Sequence, residues 1–113
     1  MNDKTIKELA VELTVETTAR CDNIKGRAVF VNQLLRSCSS IGANSHEAKY
    51  AQSRADFLSK LEIALKETSE TKYWLRLLHA TDYLSDSEFS SIFSNCIELE
   101  KILVSIIKST KNI

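Results

Sequence analysis

No proline occurs anywhere in these 113 residues, and the only glycines are Gly26 and Gly42. A chain with so few backbone breakers, whose apolar residues recur about every 3.5 positions, has little to build but helices. The breaks must then come from capping chemistry. Thr5 with Glu8, Ser53 with Asp56 and Ser85 with Glu88 each place a hydroxyl three residues ahead of an acid. In that pattern the hydroxyl caps the first turn and the acid reaches back to the capping residue. The run Cys21-Asp22-Asn23-Ile24-Lys25-Gly26 reads as a turn, with Gly26 free to take a left-handed backbone. The pattern predicts helices over 4–20, 27–50, 53–83 and 86–110. The third would be roughly 45 Å long at about 1.5 Å per residue. Short connections force neighbours to run antiparallel. The simplest architecture is one all-α, up-down-up-down four-helix bundle spanning residues 1–113, without repeats or low-complexity segments.

Composition narrows the function classes. Lys+Arg and Asp+Glu are both 15, so a strongly basic surface for nucleic acid is absent, as is a charge argument for a membrane surface. No apolar run approaches the roughly 18 residues of a membrane span, and MNDKTIKELA lacks the apolar stretch of a signal peptide. Cys21, Cys38 and Cys96 are an odd number without metal-ligand spacing. Cys38 and Cys96 fall on apolar seams, which fits small buried hydrophobes in a reducing cytoplasm. The one local charge imbalance lies in residues 25–50, where Lys25, Arg27, Arg36 and Lys49 face only Glu47. Lys25, Arg27 and Lys49 are therefore candidate nucleic-acid contacts; ordinary solvated charge is the alternative.

The second helix is two-faced. Val31, Leu34, Leu35, Cys38, Ile41, Gly42 and Ser45 form a packing seam, while Arg36, Ser40, Asn44 and Glu47 stack along the opposite side. That outer row consists of groups that make directional hydrogen bonds. It reads as a ligand site, a subunit contact or an internal polar network. Gly42, unfavourable in mid-helix, would let another helix approach closely. The third helix carries a broad seam through Phe57, Leu58, Leu61, Ala64, Leu65, Thr68, Leu75 and Leu78. Ile63, Trp74 and Leu77 lie well round its wheel, among Asp56, Glu67 and Glu70. Trp74 is thus a candidate contact with another subunit. His46 and His79 stand alone, although His79 lies three residues before Asp82, a spacing that permits one hydrogen bond. No nucleophile pair, phosphate-cradling glycine loop or metal cluster can be assembled, so neither an enzyme nor a cofactor is expected.

QLLRSCSSIGANSHEA (Gln33 to Ala48), followed by AQSRADFLSKLEIALKETSETKYWLRLL, resembles a bacterial family of four-helix-bundle proteins. These are reading frames within intervening sequences of large-subunit ribosomal RNA genes. They are similar in turn to the accessory variability determinant of diversity-generating retroelements. The pattern that carries the resemblance is Arg36-Ser37, Ser40-Ile41-Gly42-Ala43-Asn44, Glu47, Asp56-Phe57, Lys60, Ala64-Leu65, Glu70 and Tyr73-Trp74-Leu75. The resemblance implies a ring-like homo-oligomer, usually a pentamer, with no catalytic activity. For the retroelement relatives it implies binding to a reverse transcriptase and to nucleic acid through a basic surface. Two departures stand out. Ser45-His46 follows Asn44 where the family usually has an aliphatic residue, which should loosen local packing; and this chain is neutral where the nucleic-acid binders are basic. The expectation is a non-catalytic, homo-oligomeric cytoplasmic scaffold or adaptor, with a nucleic-acid or reverse-transcriptase accessory protein as the alternative.

Overall fold

Local capping sets the element boundaries. In the structure, a computed structural model that describes residues 5–112, Thr5 and Glu8 close a full capping box, as do Ser85 and Glu88. The Ser85 amide and hydroxyl hold the Glu88 carboxyl below the usual carboxylate range. Ser53 caps as expected, but the Asp56 carboxylate accepts from the Gln52 amide at 3.2 Å instead of reaching back to Ser53. The resulting helices are α1 (Ile6–Cys21), α2 (Ala28–Ala48), α3 (Arg54–Ala80) and α4 (Asp86–Lys111).

Two connections use left-handed backbone. Gly26 has φ +81°, and Arg27 beside it, the residue before α2, has φ +57°. The third helix ends at Ala80, three residues short of the expected 83. Its length is 27 residues, or about 40 Å rather than 45 Å. The stop is Asp82, at φ +67°. With Asp82 turned, its amide bonds to the His79 carbonyl at 3.1 Å and the Tyr83 amide bonds to the Leu78 carbonyl at 2.8 Å. Those are the two bonds of a Schellman motif, made here with an aspartate where glycine is the usual residue.

Each helix packs on its sequence neighbours, and α1 also packs on α4; the α1–α3 and α2–α4 pairs lie on the diagonals of the bundle. Cross-links run in opposite register, Arg36 to Glu67 and Glu47 to Lys60 between α2 and α3, Lys72 to Glu100 and Lys111 to Glu62 between α3 and α4. The bundle is therefore antiparallel, up-down-up-down, with α2–α3 the most extensive interface. Leu13, Leu34, Ile41, Leu75, Leu78, Ile92, Leu99 and Leu103 fill the core. Each such side chain contributes about 1.5–3 kcal/mol of burial.

One level of that core is polar. Thr17, Ser37, Thr68 and Thr71 are inaccessible to solvent. Their hydroxyls donate back to carbonyls of the preceding turn, at 2.7 Å for Thr17 to Leu13 and 2.8 Å for Thr68 to Ala64. Self-satisfied hydroxyls of this kind can be buried at little cost. Cys38 and Cys96 lie at the same level, the Cys96 thiol donating to the Thr68 carbonyl at 3.7 Å.

Candidate functional site

The polar row of α2 lies along its border with α3. The Arg36 guanidinium donates to Gln33 Oε1 at 3.0 Å and to Glu67 Oε2 at 3.1 Å, and it also pairs with Glu70. Asn44 Nδ2 donates to the Ser40 carbonyl at 2.9 Å and to its hydroxyl at 3.1 Å. Glu47 pairs with Lys60 at 3.1 Å. The ends of the row tie to α3, and its middle closes on itself within α2.

Trp74 does not stand free. It is half-buried against the core, stacks on Phe30 at 6.1 Å and meets the edge of Tyr73 at 5.0 Å. Its indole N–H is enclosed without an acceptor among the described residues. The exposed apolar groups are instead Ile63 and Tyr73 on α3, Val29 on α2, Tyr50 just beyond α2, and Val11 and Val15 on α1. Tyr73 is 58% exposed and Val15 64%. The α1 pair went unnoticed because it is short, although Val11 and Val15 are four apart and lie off the Ile6, Leu9, Ala10, Leu13 seam. Gly42 does admit a close neighbour, and that neighbour is α1: a Cβ there would lie 3.4 Å from Ala10 Cβ. A shallow groove of about 240 Å³ runs past it, between Val11 and Val15 on one side and Ser39 and Ala43 on the other.

The candidate nucleic-acid contacts are not brought together. Lys25 and Arg27 lie at one end of α2 and Lys49 at the other, roughly 33 Å away at about 1.5 Å per residue. Arg27 sits over the Tyr83 ring at 5.1 Å, and Arg36 between them is engaged by carboxylates. His79 does not reach Asp82, whose left-handed backbone turns it aside. It bonds Asp86 Oδ1 at 2.7 Å and stacks on Phe89 at 4.2 Å.

At the opposite end of the bundle, beside Ser45 and His46, the helices leave a cavity of about 490 Å³. Its floor is Ile6, Ala48, Phe57, Leu61, Ile102 and Ile106, drawn from all four helices. Ser45 and His46 line it with Lys7 and Lys49, the Ser45 hydroxyl donating to the Ile41 carbonyl at 2.8 Å.

The profile of the 23S rRNA-intervening sequence protein family matches residues 2–105. The chain belongs to that family. Among solved structures, this family member is similar to a protein of unknown function from the S23 ribosomal protein family of Bacteroides thetaiotaomicron. That likeness has 45% identity and a TM-score of 0.88, covering 92% of this chain and 99% of the other. No curated protein matches the intervening-sequence chain.

The three thiols of this intervening-sequence protein are free and buried. Burial pushes Cys96 up to about 12 and Cys21 up to about 11, and it raises Cys38 as well. They are packing groups rather than nucleophiles, which need a thiolate. Among the described residues no three His, Cys, Asp or Glu side chains converge on a metal position, and no helix is long and apolar enough to cross a membrane.

Proposed function

We propose that this protein is a non-catalytic, self-associating helical bundle that serves as a scaffold or adaptor in the cytoplasm. One observation carries the reading: exposed apolar side chains stand on two diagonally placed helices, Val11 and Val15 on α1 and Ile63 and Tyr73 on α3. Two different patches at opposite corners of a protomer favour a heterologous contact, which closes into a ring when the rotation permits. The family resemblance favours a pentamer for that ring. The polar row beside Tyr73 would then fix the register of docking, its Arg36 cluster offering several charges at once.

Sedimentation of the purified protein at micromolar concentration tests the idea, and a monomer would overturn it. Val15→Glu and Tyr73→Glu should each break the assembly while leaving the thermal transition nearly unmoved. Mixed together, the two variants should form a dimer through the one intact contact they share. Accessory binding to nucleic acid or a reverse transcriptase draws less support, because the cations of α2 are split between its ends. Labelled RNA binding at low salt, weakened by Arg27→Glu with Lys49→Glu, would revive it.

A further inference from the structure

We propose that the cavity at the end of the bundle is a binding site for an amphiphilic carboxylate, of the class of medium-chain fatty acids. The site goes beyond the assembly reading and does not depend on it. A volume of about 490 Å³ falls in the roughly 300–1,000 Å³ range of small-molecule pockets. The floor is aliphatic and aromatic and comes from all four helices, so a hydrocarbon tail lying on it would meet apolar atoms. Among the described residues, the charged side chains that line it are Lys7 and Lys49, and no carboxylate does. Neither lysine enters an ion pair among the described residues. Lys7 and Lys49 also border the shallower groove outside, together with Glu8 and Glu12, and the Glu8 carboxylate there is bonded to the Thr5 amide at 3.1 Å. An apolar floor with a cationic rim selects a molecule with a tail and an anionic head. His46 adds a polar ring at the rim, while the Ser45 hydroxyl is already committed to the Ile41 carbonyl.

The test is a titration of the 113-residue chain, methyl-labelled at isoleucine, with decanoate and separately with decanol. Decanoate should shift the Ile6, Ile102 and Ile106 methyl signals saturably and leave Ile41, Ile63 and Ile92 in place. Decanol should bind about tenfold more weakly, as expected for one screened charge contact. Lys7→Gln with Lys49→Gln should bring decanoate down to the affinity of decanol without changing the thermal transition. Equal affinity for the two probes, shifts spread over all isoleucines, or no saturable shift would overturn the proposal. So would contacts from the Met1 methyl to Ile106 in the free protein, since the cavity would then be filled by its own chain.

Discussion

Thr71 on α3 donates a hydrogen bond to Ser37 on α2 at 3.0 Å, and neither residue is reached by solvent. The Ser37 hydroxyl passes its own proton to the Leu34 carbonyl at 3.1 Å, while Thr71 also approaches the Glu67 carbonyl at 2.8 Å. Each hydroxyl therefore keeps a local acceptor when the other is removed. Ser37→Ala and Thr71→Val should each cost only about 0.5–1.5 kcal/mol in urea unfolding. The double variant should reveal a coupling of roughly 0.5–1 kcal/mol.

Arg36 is worth more than an ordinary surface cation. Deleting its guanidinium with Arg36→Met leaves Glu67, only 15% exposed, facing Glu70 across one helical turn. The loss should be about 1–2 kcal/mol, with the uncompensated, partly buried carboxylate as the cause. Glu47→Gln breaks the more exposed pair with Lys60 and should cost less than about 0.5 kcal/mol. Equal losses in the two variants, measured by urea unfolding, would contradict this ranking.

At Gly42 the gap to Ala10 leaves room for one methyl and no more. Gly42→Ala should be neutral or stabilising by up to about 1 kcal/mol, the helix-propensity gain. Gly42→Leu should drive α1 away from α2 and cost about 1–3 kcal/mol. Thermal unfolding of the two variants gives the comparison.

The buried thiols make stability fall in alkali. A thiol whose folded value lies above its unfolded one holds its proton more tightly in the native chain. Its contribution is whole below the ordinary thiol value of 9.0 and drains away as the pH climbs toward about 11 for Cys21 and about 12 for Cys96. Urea midpoints at pH 7, 9.5 and 11 should decline, and Cys96→Ala should flatten part of that decline. A thiol-reactive reagent at pH 8 should label the native chain only as fast as it opens.

The helices were legible because their signals are local: a hydroxyl and an acid three residues apart cap a turn wherever they occur. The end of α3 was not, because Asp82 does the work usually signalled by glycine. Arg36, Ser40, Asn44 and Glu47 could be assigned to one face of α2 from spacing alone. Their partners could not, since Glu67, Glu70 and Lys60 come alongside only once α2 and α3 pair. The surroundings of Trp74 were hidden for a related reason. Its place on the wheel pointed outward, but Phe30 on the neighbouring helix covers it and leaves Tyr73 as the exposed ring.

Glu16 on α1 accepts from Asn95 Nδ2 at 2.9 Å and from the Ser91 hydroxyl on α4, drawing the first helix against the last. Every other interface joins helices adjacent in the chain, so this seam alone must gather two ends separated by the whole sequence. It carries the largest loop-closure entropy with the smallest packing area, and should zip shut last and yield first. Amides of α1 would then exchange with solvent ahead of those in the α2–α3 hairpin, through excursions that leave the remaining three helices standing.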